Sequence, residues 1–336
     1  MTESMNGRAF IAGIVDFNTK QMTEEDVKAR GIPPYLTRYV ADLRQYPLHI
    51  AMHFPDGVSW FRADQPWYFK DLMEDPKNIR RLKESDVLIW SGSGLSAHKF
   101  QHGEPQGKYQ EALVESQQIM RDHLGAGKWA FGICYGGQLA IAAVGGKIGR
   151  LPKGITEAGW LTHKLTRAGA RDEVFGFLPE KFGAPHFHND YVEKLPVVGT
   201  KIQTSSGVIR VVRSDVLVTR DHYTDATGDH FRPGGYIMAS VVEFNNGACL
   251  YQIQPHPEMA DPEYANFLVR MNPWLAKKMG EGYYRNALYI RKDAVFEVAK
   301  LIPTFVRVAK ERIELQQGVN FVNAMAVQNL FRYLLP

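Results

Sequence analysis

Phe131-Gly132-Ile133-Cys134-Tyr135-Gly136-Gly137-Gln138-Leu139-Ala140 is the stretch around which the chain is organised. Residues Lys128 to Ile133 read as a short apolar strand, and Gln138 to Val144 as the start of a helix. Between them Gly132 and Gly136 flank Cys134 in the spacing of a nucleophile elbow, glycine-x-nucleophile-x-glycine. In that motif a tight strand-to-helix turn lifts one side chain clear of a sheet. Glycines are needed because the turn brings backbones too close for Cβ atoms. A thiol at a helix N-terminus faces unpaired N–H groups and the positive end of the helix dipole. Both stabilise a thiolate, the form that attacks carbonyls. The competing reading, a buried structural cysteine, is the usual fate of a free Cys. Partners elsewhere in the chain decide between the two.

The bulk composition narrows the classes. Of 336 residues, 45% are hydrophobic and 23% charged, the balance of a soluble globular protein with a sizeable core. A net charge of +4 is weak for this length. There is also no dense basic run with interleaved aromatics, so nucleic acid is not an expected partner. Two cysteines, Cys134 and Cys249, argue against a disulfide framework and fit a reducing compartment. The Met1–Arg8 segment lacks the apolar core of a signal peptide, and no apolar run is long enough to span a bilayer. A cytoplasmic protein without membrane contact is expected.

Strand and helix patterns alternate through the first half. Ala9 to Val15, Leu48 to Phe54 and Asp86 to Trp90 read as buried strands. Lys20 to Arg30 reads as a charged insertion. Helices are expected after Pro33-Pro34, over Asp75 to Glu84, and over Tyr109 to Leu124, where Ala112, Leu113, Ser116, Ile119, Met120 and His123 share one side. This alternation predicts an α/β fold, a doubly wound, mostly parallel sheet flanked by helices. Ligands in such sheets gather at the carboxyl ends of the strands, where Cys134 and the Ser91-Gly92-Ser93-Gly94 loop both lie. Later, Lys201 to Thr219 reads as a hairpin turning at Ser205-Ser206-Gly207. Gly235 to Glu243 and Ala248 to Ile253 form another, turning at Asn245-Asn246-Gly247. After Pro262 the pattern is helical, with a kink expected at Pro303 and a final helix through Val322 to Leu334. Residues 1–260 are read as one domain and 261–336 as a helical C-terminal extension.

Gln254-Pro255-His256-Pro257-Glu258 follows the last β run. His256 is suited to accept a thiol proton, and Glu258 to hold the ring in the useful tautomer and stabilise its cation. The alternative is a plain strand-to-helix turn with Glu258 as a helix-start acid. Elsewhere, no metal-ligand spacing is present, so no metal is expected. His98, His102, His163, His186, His222 and His230 are read as surface or capping residues. His186 and His188, on a run read as a strand, are expected on opposite faces.

The elbow, the following Gly145-Gly146 and the terminal His-Pro-Glu together resemble the class I (triad) glutamine amidotransferases. Other segments fall in that family's order. Glu157-Ala158-Gly159-Trp160 resembles its E-x-G-W segment. Leu165-Thr166 with Asp172, Phe175 and Leu178-Pro179 resembles the next block. His188-Asn189-Asp190-Tyr191-Val192-Glu193-Lys194-Leu195-Pro196 resembles H-x-D-x-V-x-x-L-P. The resemblance covers roughly Phe10 to Met259, and agreement of several motifs in order is what makes it specific.

The resemblance implies a flavodoxin-like sheet and a cofactor-free glutaminase with Cys134, His256 and Glu258 as its catalytic triad. It implies oxyanion donors from Tyr135 and from the loop carrying Ser93 and Gly94. Gln138, His188 and Asp190 would hold the glutamine substrate. It also implies ammonia delivery to a separate synthetase or transferase, since no ATP-binding loop occurs in this chain. The segment Thr200–Asp215 and the tail are candidates for docking that enzyme or for self-association. A γ-glutamyl amide hydrolase or transferase without ammonia delivery is the runner-up, and a non-catalytic scaffold the third reading. Three departures from the family pattern stand out. Ser93 replaces a glycine, Gly94 a proline, and Pro255 the usual Phe before His-Pro-Glu.

Overall fold

A computed structural model describes residues 10–16, 61–62, 67–68, 83–93, 95–105, 110–152, 157–225, 228–257, 297–298 and 300–316. The Lys20–Arg30 insertion, the helix after Pro33-Pro34, the strand over Leu48–Phe54, most of the Asp75–Glu84 helix and the final helix lie outside these residues.

The described strands join one thirteen-stranded sheet. Its first half is parallel. β1 (Phe10–Asp16) lies beside β2 (Phe61–Arg62), β3 (Trp67–Tyr68) and β4 (Val87–Trp90). β5 (Trp129–Ile133) lies between β4 and β13 (Cys249–Ile253). Every residue of β4, β5 and β13 is buried. That explains their unbroken apolar runs, since helices cover both faces of this part of the sheet. Val87 and Ile89 join one core cluster, Leu88 and Trp90 the other, as the period of two requires.

The second half of the sheet is antiparallel. β7 (Glu157–Leu165) pairs with β8 (Lys181–His188). β11 (Gly207–Asp225) pairs with β12 (Gly228–Phe244), which in turn lies on β13. β6 (Lys147–Arg150) pairs with β9 (Asp190–Lys194), and β10 (Lys201–Thr204) with β11. The two turns expected at Ser205-Ser206 and Asn245-Asn246-Gly247 form where the sequence places them. β11 and β12 run further than their alternation suggests. Pro233-Gly234-Gly235 marks a bulge rather than an end. Arg220 pairs with Tyr236 and His222 with Phe231, so the intervening residues loop out, with Gly234 and Gly235 at φ +80° and +73°.

Helices α1 (Ala97–Gln101), α2 (Gln110–Gly125) and α3 (Tyr135–Ala143) follow in chain order. The buried side of α2 is the predicted one, with Leu113, Ser116, Ile119, Met120 and His123 inside. On the opposite sheet face lies α4, residues 301–316. Leu301, Ile302, Phe305, Val306, Val308 and Ala309 are buried there. The Phe305 ring sits 5.0 Å from Phe131 and 5.8 Å from Tyr251. Lys300 is a turn residue, so Pro303 falls in the first turn of α4 instead of kinking its middle. A first turn has no use for the missing N–H. Among the described residues no helix is long and apolar enough to cross a membrane.

Phe305→Ala should lower stability by about 3–5 kcal/mol, read as a lower urea midpoint, because a ring filling the core leaves a cavity. Phe231→Ser, on a 71% exposed side chain, should change it by less than about 0.5 kcal/mol. His123 gives a pH signature. Its Nε2 bonds the Trp129 carbonyl at 3.0 Å. Burial, then Lys128, pull its pKa down to about 3. The unfolded chain therefore binds one more proton between about pH 6.5 and pH 3, and stability falls as pH drops through that window. His123→Leu should shallow the slope by up to about 1.4 kcal/mol per pH unit in denaturation curves.

Candidate active site

The elbow is built by steric exclusion. A Cβ on Gly132 would stand 2.4 Å from the Gly137 Cα, and one on Gly136 would stand 2.6 Å from the carbonyl oxygens of Trp90 and Ser91. Strand and helix thus touch backbone to backbone. α3 consequently begins at Tyr135, three residues before the expected Gln138, because its first turn contains the Gly136-Gly137 pair. Glycines are poor helix formers, and sequence pattern places them outside helices. Cys134 caps this helix at φ 48°, ψ −115°, and is the only non-glycine at positive φ among the described residues. Such a conformation costs on the order of 1–3 kcal/mol and persists only where surroundings enforce it. Three hydrogen bonds do so. Cys134 N–H donates to Ile253 O at 2.7 Å, Gly136 N–H to Ser91 O at 3.0 Å, and Gln138 N–H to Cys134 O at 2.9 Å.

Register brings the other parts to the same end. Trp90 pairs with Gly132, and Ile253 with Ile133. The residues leaving β4, β5 and β13 are therefore Ser91, Cys134 and Gln254, side by side at the carboxyl edge. His256 is 3% exposed, and its N–H donates to the Pro185 carbonyl at 2.8 Å. Gly92 lies between the two chemical groups. A Cβ there would stand 2.7 Å from His256 Cε1, 3.5 Å from its Nδ1 and 3.6 Å from the Cys134 Cβ. Imidazole and cysteine thus line one small space. Tyr135 opens α3 directly after the cysteine, and Ser93 lies in the facing loop with its Oγ accepting from Leu95 N–H. Gly94 and Glu258 lie outside the described residues.

A ladder of buried amides ends on the sulfur. Gln138 Nε2 donates to the Asp190 carbonyl at 2.6 Å and to Gln254 Oε1 at 3.0 Å, and Gln254 Nε2 donates to Cys134 Sγ at 3.4 Å. The Asp190 carboxylate accepts from Ser96 Oγ at 2.6 Å and from His98 N–H at 3.2 Å, which fixes the start of α1. Sequence reasoning named Gln138 and Asp190 but gave Gln254 no role. Its only signal was its position at the head of the Gln-Pro-His-Pro-Glu run.

No family model matches the sequence, and no curated protein shows significant similarity to it. Solved structures do share its architecture. A glutamine amidotransferase from Thermotoga maritima matches with a TM-score of 0.50 at 13% identity, covering 88% of this chain and 97% of its own. A glutamine amido transferase from Methylobacillus flagellatus matches with a TM-score of 0.51 at 14% identity, covering 89% and 94%. The fold is that of the class I glutamine amidotransferases.

Within this amidotransferase fold, the histidines of β7 and β8 depart from the sequence expectation. His186 and His188 do not face opposite sides, since residues two apart on a strand share a face. His188 Nε2 lies 3.0 Å from His186 Nδ1, and His186 Nε2 lies 2.8 Å from His163 Nε2. Neither His163 nor His186 is a surface residue, at 1% and 3% exposure. His98, His102, His222 and His230 are partly or fully exposed. Glu157 completes the row, 3.2 Å from His188 Nε2 and ion-paired to buried Arg220. Burial, then Arg220 and His188, bring the His163 pKa down to about 3. Burial, then His163 and His188, push His186 far below the usual imidazole range. These residues come from two strands paired in space, so no linear spacing reveals them. A shallow groove bordered by Gln118, Arg121, Ala142 and Ile202 opens at the far end of α3 from Cys134, away from this chemistry.

Gly136→Ala should destabilise the protein by about 1–3 kcal/mol or more, because its methyl meets backbone that cannot yield. Gly92→Ala meets the His256 ring and no backbone, so the ring has to shift. The substitution should leave the melting temperature nearly unchanged and instead alter the pH profile of Cys134 alkylation by iodoacetamide.

Proposed function

We propose that the protein is a glutaminase of the amidotransferase type, releasing ammonia from the side chain of glutamine. The observation that supports this reading best is the meeting of Cys134 and His256 around Gly92, at the carboxyl ends of adjacent parallel strands.

In this reading the Cys134 thiolate attacks the carboxamide carbon of glutamine. His256 protonates the departing nitrogen, and a γ-glutamyl thioester remains on the sulfur. A water that gives its proton to His256 then attacks the thioester, releasing glutamate and restoring the thiol. Glu258 orients the imidazole and stabilises its cation. Tyr135 N–H, at the first position of α3, and an N–H of the Ser93-Gly94 loop stabilise the oxyanion. The sharp turn at Cys134 directs the sulfur toward those donors. Gln254 donates to that sulfur and so holds it in place. Gln138, Asp190 and His188 shape the wall that receives the amino-acid end of glutamine. Because Gln138 already donates to Asp190 and Gln254, its part is to hold that wall rigid.

The ammonia goes to a separate synthetase or transferase. Ser93, where the family pattern has glycine, restricts the donor loop and makes its correct orientation dependent on that acceptor. The hairpin over residues 201–210 and the region beyond residue 261 are the proposed contacts.

Purified protein should hydrolyse glutamine slowly alone and faster with its acceptor enzyme, with glutamate release as the readout. Cys134→Ala should abolish turnover by at least about a thousandfold while the melting curve is retained. Undiminished hydrolysis in that variant would remove Cys134 from its role. A preference for γ-glutamyl amines over glutamine would replace this reading with a γ-glutamyl hydrolase or transferase.

A further inference from the structure

We propose that Glu157, His186 and His188 form a binding site for one divalent transition-metal ion of the zinc class, on the strand whose Pro185 carbonyl holds His256. The donor set, two imidazoles and one carboxylate, suits zinc, cobalt or nickel and leaves a coordination position open.

The geometry is close to that of a metal-binding face. His186 Nδ1 and His188 Nε2 are 3.0 Å apart, His188 Nε2 and Glu157 Oε2 are 3.2 Å apart, and the three ligand atoms all lie within 4.8 Å of one another. Tetrahedral bonds of 2.0–2.1 Å give ligand–ligand edges of about 3.3 Å. Small side-chain adjustments suffice to close the set.

Proton counting supports a cation there. His188 Nε2 faces both His186 Nδ1 and Glu157 Oε2. A ring nitrogen carries one hydrogen or one lone pair, never both. If it carries hydrogen, one proton serves two acceptors. If it carries a lone pair, that lone pair points at a carboxylate. A metal ion at the centre engages all three lone pairs at once. The other ring nitrogen, His188 Nδ1, is buried with no hydrogen-bond partner and takes the proton at the cost of one unpaired N–H, which metal coordination has to exceed.

Outer partners are already in place. His186 Nε2 meets His163 Nε2, which fixes the ring with Nδ1 as the ligand atom. Arg220 pairs with Glu157 Oε1 and leaves Oε2 toward the histidines.

Because His186 adjoins Pro185, whose carbonyl anchors the His256 backbone, zinc binding is expected to change the rate of glutamine hydrolysis reversibly. That consequence rests on the function proposed above; the binding does not.

The test uses the full chain carrying Cys134→Ser, so that the elbow thiol is not a ligand. Zn²⁺ binding is measured by equilibrium dialysis, and Co²⁺ binding by visible absorption. One equivalent of metal with intense tetrahedral cobalt bands is expected. His186→Ala and Glu157→Gln should each weaken binding at least about a hundredfold, and His163→Leu about 10–100-fold, as loss of an outer partner does. His188→Cys should keep cobalt and add a thiolate charge-transfer band. Absence of stoichiometric binding in the Cys134→Ser chain would overturn the proposal, as would unchanged affinity in folded His186→Ala. If His186→Ala does not fold, the His188→Cys band decides, and its absence counts against the site. These readouts need no turnover, so failure of the glutaminase reading would leave them intact.

Discussion

The contact between Gly132 and Gly137 is the constraint on which the rest depends. With a Cβ position only 2.4 Å from the opposing Cα, strand and helix can meet this closely only where side chains are missing. The chain must reverse within one residue, and that residue is Cys134, driven to positive φ. The strain is confined to a short turn whose two sides are both buried, so it is enforced by packing and not by the turn itself. The helix N-terminus then opens directly over the end of β5. Nothing in the thiol's own chemistry chooses this location. The fold sets this thiol at the sheet's carboxyl edge because the backbone leaves it nowhere else to go.

The parallel register converts that turn into a site. Because β4, β5 and β13 finish level, the residues that follow them share a rim, and each supplies a different chemical character. β4 gives a glycine that makes room. β5 gives the sulfur. β13 gives the amide and then the imidazole. The Gln138–Gln254–Cys134 ladder ties this rim to β9 through the Asp190 carbonyl, and the Asp190 carboxylate ties it in turn to α1. One chain of hydrogen bonds thus spans both halves of the sheet.

What the sequence disclosed follows from how local each signal is. The elbow, the hairpin turns and the buried side of α2 depend on residues a few positions apart, and they were legible. The start of α3 was misplaced because Gly136 and Gly137 look like loop, while their real constraint is the backbone of β5 and of the residues after β4, packed against them with no side chain between. The length of β11 and β12 was underestimated because Pro233-Gly234-Gly235 punctuates a strand that resumes after a bulge. Gln254 and the Glu157–His186–His188 cluster were hidden for a different reason. Their partners are brought together only by pairing between strands, and the alternation that places His186 and His188 on one face was read the wrong way.

The antiparallel half sets the imidazole. His256 follows β13 in the chain, yet its backbone is anchored to Pro185 on β8, two strand pairings beyond β11. Pro255 has no N–H to offer, so the first donor after Gln254 is that of His256 itself, and the Pro185 carbonyl receives it. A proline also fixes φ, which narrows the directions the ring can take. The position of the ring therefore depends on β8 staying in register with β7. That register includes the buried Glu157–His188 pair. Removing that pair would loosen β8, and with it the carbonyl that places His256. The His256 imidazole is thus supported through a strand that contributes no atom to the elbow.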